Sequence, residues 1–149
     1  MEPADIAIFE THQADPVASE MAAFPSRSAE AHAAHWQKVL ADSSNVTRTI
    51  LADGVVAGNI GGWLDEDVRH VGYWIAREMW GKGVATRALA AFVQLLDDRP
   101  LHAYVAASNR GSIRVLERCG FRLAEHEPSQ RPASTQLPQV EEYLYVLEG

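Results

Sequence analysis

Hydrophobic positions along the chain follow two different spacings, and each change of spacing marks a predicted element. Between residues 46 and 75, β-branched and aromatic residues form short runs separated by turn signals, which is typical of strands. Asp53 and Gly54 supply the two positive-φ positions of a tight hairpin between the first two runs. The pattern therefore predicts strands over 46–52, 55–62 and 69–75.

Helical spacing occurs on both sides of these strands. The stretch SAEAHAAHWQKVLAD has apolar residues at helical spacing and Ser28 as a potential N-cap. Further along, apolar residues recur every three or four positions and predict a helix over 84–97. A third helix is predicted between Asn109, as its N-cap, and Gly120, which stops it.

Short β-forming runs complete the chain. LHAYV at 101–105, FRLAEHE at 121–127 and VEEYLYVLE at 140–148 predict three more strands, with a proline-containing loop before the last. The first residues also have a short strand-like start, followed by Ala-rich segments. This order predicts a mixed α/β (α+β) sheet with helices on both faces, in a single domain over 1–149.

Composition limits the class of protein. With 149 residues and 47% hydrophobic content, the chain can bury one core. Its 13 basic and 20 acidic residues give a net charge of −7, which argues against a nucleic-acid or anionic-membrane partner. A single cysteine, Cys119, excludes an internal disulfide, and no apolar run approaches a membrane span. We therefore expect a cytoplasmic protein.

The stretch YWIAREMWGKGVATRAL, residues 73–89, places Gly81 and Gly83 between a predicted strand and a predicted helix. Such a turn exposes the first amides of the helix to an anion, and the helix dipole favours negative charge there. A P-loop requires glycine where the chain has Ala76 and a hydroxyl where it has Gly83. A dinucleotide fingerprint requires glycine where Thr86 stands. Neither of these motifs fits.

The turn WGKGVA, residues 80–85, resembles the acyl-CoA turn of the GNAT-type N-acetyltransferases, Gln/Arg-x-x-Gly-x-Gly/Ala, with Trp80 in place of the first residue. SNRGSIRVLERCGFR, residues 108–122, resembles a later block of the same family. Together they resemble the branch of ribosomal-protein N-terminal acetyltransferases. The resemblance implies a mixed, mostly antiparallel sheet of six to seven strands with about four helices. Acetyl-CoA would enter a cleft where strands 69–76 and 101–105 splay apart.

The resemblance also implies a set of cofactor-binding residues. Backbone amides of the glycine turn would hold the CoA pyrophosphate, the end of the preceding strand would pair with the pantetheine arm, and two further residues would line the thiol side. In that order, the residues are Gly81, Lys82, Gly83, Val84, Ala85 and Thr86, then Trp74, Ile75 and Ala76, then Asn109 and Ser112. The Lys82 ammonium either contacts phosphate or is simply solvated.

The implied reaction is acetyl transfer from acetyl-CoA to a primary amine, without a metal. Neutralising an α-amino group at pH 7 costs roughly 1 kcal/mol and a lysine roughly 4–5 kcal/mol, so an N-terminal amine is the easier acceptor. His70 occupies the position where the family often has an acidic base, although a histidine there also fits a polar strand edge. Ser112 can donate to the thiolate or take part in capping the helix.

Two alternatives remain open at this stage. Many relatives carry tyrosine where this chain has Leu116, so a CoA-binding module without catalysis is one alternative. An aminoglycoside-type or polyamine-type acetyltransferase is the other. A homodimer through the last strand or the loop 127–138 is also possible from the sequence.

Overall fold

The structure is a computed structural model that describes residues 1–22, 27–124, 129–130 and 141–149. The described part contains five α-helices, which are α1 (Pro3–Gln13), α2 (Pro16–Ala22), α3 (Ala29–Ala41), α4 (Val84–Val93) and α5 (Arg110–Arg118). Its strands are β1 (Val46–Ala52), β2 (Val55–Asp65), β3 (Val68–Ile75), β4 (Leu101–Ala106), β5 (Arg122–Leu123), β6 (Ser129–Gln130) and β7 (Glu141–Leu147). None of the helices in these ranges combines the length and apolar character that a membrane span needs.

The strands form one sheet in the order β1-β2-β3-β4-β7-β5, with β6 also paired to β7. Only the β3–β4 pair is parallel. The β1–β2 hairpin turns at Asp53 and Gly54, whose φ angles are +52° and +80°. The predicted mixed, mostly antiparallel sheet is therefore confirmed. Because β7 is paired on both sides, it has no free edge over these residues for a second copy of the chain.

The β3–β4 pair is short, and this feature creates the site. Register between the two strands is kept only at Arg69–Leu101 and His70–His102. By contrast, β3 stays paired with β2 along its whole length, to Ile75. The two central strands thus diverge after His70, as the resemblance implied, and no strand among the described residues pairs with that edge of β3 beyond this point.

Two apolar clusters cover the sheet. The larger one packs α4 and α5 against the strand residues that point toward them, with Leu89, Leu101 and Phe92 almost fully buried. The smaller one lies among α1, α3 and the sheet, where the rings of Phe9 and Trp36 are 5.3 Å apart. Because side chains alternate along a strand, the intervening residues of β3 and β4 face away from α4 and α5.

The strand-like start that the sequence predicted is wrong, because residues 3–13 form α1. Pro3 lies in its first turn, and Glu2 and Asp5 form a reciprocal capping box. Phe9, His12 and Gln13 are the buried residues, at helical spacing. The helix therefore forms because one of its faces packs inward.

The helix predicted over 84–97 is shorter, since α4 ends at Val93. The Arg99 guanidinium donates to the carbonyls of Val93 and Leu96, which satisfies acceptors that a longer helix would have used internally. The strand predicted over 121–127 is described only to residue 124, and β5 occupies two residues of it. Most of the proline loop lies outside the described residues.

Candidate active site

A cleft of about 420 Å³ opens where the glycine turn, the end of β3 and the first turns of α5 meet. Helix α2 forms its remaining wall. The lining residues are Ala18, Met21, Ala22, Tyr73, Trp74, Ile75, Met79, Trp80, Gly81, Gly83, Val84, Ala85, Thr86, Asn109, Gly111, Ser112, Arg114, Val115 and Arg118. Nine of the predicted cofactor residues are in this set, so the structure brings together the two sequence blocks.

The glycine turn points the start of α4 at the cleft. Gly81 and Gly83 have φ angles of +76° and +75°, a left-handed conformation that disfavours side chains. Gly83 is the N-cap, and it provides no capping side chain. The amides of residues 84–86 have no acceptor within the helix, because the first helical bond runs from the Arg87 amide to the Gly83 carbonyl. The start of α4 therefore has the backbone geometry that favours an anion.

The end of β3 only partly matches its predicted role. Trp74 and Ile75 line the cleft, but Ala76 does not. Ala76 is 2% exposed and donates its amide to the Ala57 carbonyl of β2 at 2.8 Å. Its predicted pairing with the pantetheine arm stays a prediction that this geometry does not favour, since that amide already donates within the sheet. The Ile75 carbonyl accepts from the Trp80 indole at 3.0 Å, which fixes the turn to the strand.

Lys82 is also outside the cleft lining. The residue is exposed, and its carbonyl accepts a hydrogen bond from Nη1 of Arg87 at 3.2 Å. This bond closes the turn across the start of α4. The structure favours the solvated reading of the Lys82 ammonium over direct phosphate contact.

Asn109 and Ser112 lie at the start of α5, as predicted. Asn109 caps the helix by accepting the Ser112 amide at 3.3 Å. The Ser112 hydroxyl accepts a hydrogen bond from the Tyr73 hydroxyl at 2.9 Å, so its own proton is available to a further acceptor. Burial raises the pKa of Tyr73, which keeps that phenol protonated near neutral pH. Sequence reasoning missed Tyr73, because no spacing rule links residues on β3 and α5.

His70 is placed differently from the other candidates. Its side chain is 7% exposed and stacks between Trp63 and Tyr104, with ring centroids 6.0 and 5.8 Å away. The ring of His102 meets it edge-on at 5.4 Å. His70 lines neither the cleft nor the chamber behind it. Its role as a base therefore stays a prediction that this geometry does not favour.

A smaller chamber of about 130 Å³ continues from the cleft into the gap between β3 and β4. Ala22, Tyr73, Asn109 and Ser112 line both cavities, so the two are adjoining. The chamber is further lined by Val71, Gly72, Leu89, Ala103, Tyr104, Val105, Ala106, Leu116 and Glu142. An extended ligand in the cleft can therefore place one end between the diverging strands.

Two basic residues of the cleft were missed by sequence reasoning. Arg114 and Arg118 lie one turn apart on α5 and both line the cleft. Their spacing was visible in the sequence, but only the packing of α5 beside the glycine turn aims them at the same space. Cys119, on the same helix, packs against the core, where burial raises its pKa. It is a partly buried, packed thiol.

Comparisons with known proteins agree with this geometry. A family model described as an acetyltransferase (GNAT) domain matches residues 1–122. YdaF of Bacillus subtilis (strain 168), provisionally named a ribosomal N-acetyltransferase, is 33% identical over 93 residues. The match covers 58% of this chain and 51% of YdaF, so it spans about half of that relative.

Solved structures share the fold across nearly the whole chain. RimL, a ribosomal L7/L12 α-N-protein acetyltransferase in complex with CoA, matches 99% of this chain and 90% of its own, with a TM-score of 0.81 and 16% identity. Spermidine N-acetyltransferase from Vibrio cholerae, with CoA and spermine, matches 99% and 92%, with a TM-score of 0.79 and 15% identity. The aminoglycoside acetyltransferase AAC(6')-Ib in complex with CoA matches 98% of this chain and 90% of its own. Its TM-score is 0.76 and its sequence identity is 19%.

The family model covers most of the chain, and the splayed strands, glycine turn and α5 block occupy the places that the resemblance implied. The chain therefore belongs to the GNAT acetyltransferase family, whose cosubstrate is acetyl-CoA.

Proposed function

We propose that this protein is an acetyl-CoA-dependent N-acetyltransferase that transfers the acetyl group directly to a primary amine. One observation carries the proposal: the uncapped start of α4 and the gap between β3 and β4 open into adjoining cavities. An extended molecule with an anionic end and a reactive end fits that arrangement.

The anionic end of CoA belongs at the glycine turn. The amides of residues 84–86 face the cleft, and the partial positive charge of the helix start favours a diphosphate there. Arg114 and Arg118 of α5 supply full positive charges in the same cleft. The pantetheine arm then follows the edge of β3 near Trp74 and Ile75, with which no described strand pairs.

The reactive end reaches the chamber beside Ser112. A neutral amine forms a C–N bond to the thioester carbonyl carbon, and the C–S bond breaks. The amine loses one proton to solvent, and the departing thiolate gains one. The Ser112 hydroxyl is placed to donate to that sulfur, because it already accepts from Tyr73 and its own hydrogen is directed elsewhere. A backbone amide on the part of the β3 edge that no described strand pairs with stabilises the negative charge on the carbonyl oxygen.

The acceptor class is the finer part of the proposal. Similarity to YdaF and to RimL favours the α-amino group of a protein or peptide. That choice also agrees with the lower cost of deprotonating an α-amino group. The fold likeness to spermidine and aminoglycoside acetyltransferases supports a small-molecule amine as the second candidate acceptor.

Release of free thiol from acetyl-CoA, measured with a panel of peptides and small amines, tests the function. We expect amine-dependent release for the wild type and a loss of about 100-fold in kcat for Ser112→Ala, at the lower end of what a positioned proton donor contributes. Ser108→Ala, an exposed residue outside the cleft lining, is the matched control and should retain full activity. Tight CoA binding with background thiol release throughout the panel would instead support a non-catalytic CoA-binding module.

A further inference from the structure

Among the residues that the structure describes, one charged side chain lines the inner chamber, and nothing in the sequence had singled it out. Of the described residues that line the chamber, only Glu142 carries a formal charge. The other members are apolar, glycine, or neutral polar residues. We propose that Glu142 is the acceptor-binding residue and that it selects amines that arrive as cations. This inference rests on the proposed function, because it assigns the acceptor end of the same site.

The placement of Glu142 follows from the register of the sheet. Glu142 lies opposite Ala106 in the β4–β7 pair, where β4 ends. The Ala106 carbonyl accepts the Asn109 amide at 2.9 Å, so the turn into α5 begins beside it. Ser112 follows within the first turn of that helix. Glu142 therefore lies on β7, beside the end of β4 from which the chain continues to Asn109 and Ser112.

The two cavities carry opposite charges. The outer cleft has the start of α4, Arg114 and Arg118, which suit an anion. The inner chamber has Glu142 alone among charged groups of the described residues, and it is partly buried. An ion pair is stronger there than at an exposed surface, because less solvent screens it. A phosphate carrier and a cationic amine are thus directed to opposite ends of one site.

An aromatic wall completes the acceptor subsite. Glu142 and Tyr104 lie on the same face of the sheet, since Tyr104 pairs with Leu144, two residues from Glu142. The Tyr104 ring also lines the chamber and is stacked on His70 at an interplanar angle of 10°. His70 thereby helps to hold the Tyr104 ring beside the chamber, where an ammonium group can contact aromatic surface. We assign His70 a positioning role.

Steady-state kinetics of Glu142→Gln test the inference. The acceptors are butylamine, spermidine and an alanine tetrapeptide with a free N-terminus. We expect the KM for the amine to rise at least tenfold, while the KM for acetyl-CoA and the Kd for CoA stay within twofold. Glu148→Gln removes the same charge from an exposed residue outside the chamber, and its kinetics should match the wild type.

A second pair of variants tests the aromatic wall. Tyr104→Phe keeps the ring and should keep the KM for the amine, whereas Tyr104→Leu should raise it several-fold with CoA binding unchanged. Binding of the same amines to the CoA-loaded protein, followed by NMR, gives a readout that does not need turnover. Glu142→Gln should lose this binding.

The possible failures are distinguishable. A wild type that acetylates amines, with an unchanged amine KM in Glu142→Gln, overturns the Glu142 assignment and leaves the proposed function intact. A wild type that binds CoA but neither binds nor acetylates any of the amines overturns both. If the KM for the amine rises equally in Glu142→Gln and Glu148→Gln, the rise reflects the net charge of the protein and not the position of Glu142. That result would also overturn the assignment.

Discussion

Replacing Gly83 with alanine tests whether the start of α4 holds the cofactor. Gly83 has a φ angle of +75°, and alanine in the left-handed region costs about 1–2 kcal/mol. Alanine also lowers the conformational entropy of the unfolded chain, which stabilises the folded state by about 0.4–1 kcal/mol. The net decrease in the free energy of unfolding is therefore about 1 kcal/mol. In a chain of this length that loss lowers Tm by about 2–4 °C.

The effect on affinity is larger, because the strain is relieved by moving the turn. A Cβ at Gly83 would lie 2.9 Å from Nη1 of Arg87, so Arg87 must also release the Lys82 carbonyl. Displacing one amide from the pyrophosphate removes a charge-assisted hydrogen bond of about 1.5–3 kcal/mol. That loss weakens CoA binding by about 10–100-fold.

Calorimetric titration with CoA and thermal unfolding measure the two effects separately. Gly54→Ala is the matched control, because Gly54 has a φ of +80°, has no atom near a new Cβ, and lies in the β1–β2 turn. It should lose the same stability and keep the wild-type Kd. If Gly83→Ala and Gly54→Ala bind CoA equally well, the anion site at α4 is refuted.

Two further predictions concern hydrogen bonding and pH. Tyr73→Phe removes the hydrogen-bond donor to Ser112 and should lower kcat by about 3–10-fold, because one neutral hydrogen bond is worth about 0.5–1.5 kcal/mol. The KM for acetyl-CoA should stay unchanged. A wild-type kcat would contradict a role of the Tyr73–Ser112 hydrogen bond in catalysis. Burial lowers the pKa of His35 to about 4, from 6.5 in an unfolded chain. As the pH falls, the imidazole takes up a proton in the unfolded state before it does so in the folded state. The contribution of His35 to the free energy of unfolding is therefore complete above pH 6.5 and is lost as the pH drops toward 4. The expected loss is about 1–2 kcal/mol, because solvent screens the exposed part of the ring. Thermal unfolding between pH 7.5 and 4.5 should show this loss, and His35→Gln should reduce it; equal slopes for both proteins would contradict the prediction.

Local signals predicted the elements whose physical causes are local. The Asp53-Gly54 turn, the Asn109 cap and the glycine pair at the start of α4 were all readable, because backbone conformation and capping depend on residues within one turn. The N-terminal segment was misread as a short strand, whereas residues 3–13 form α1. Packing of Phe9 against Trp36 decided in favour of the helix.

Contacts between distant elements required the tertiary structure. The sequence by itself determined the family, the glycine turn and the block at α5, since each is a pattern of neighbouring residues with a local function. It did not determine that Tyr73 donates to Ser112, that Ala76 is used in the sheet, or that Glu142 enters the chamber. Those relations depend on the register of neighbouring strands and on the point at which β3 and β4 stop pairing, and register is fixed by the packing of the whole sheet.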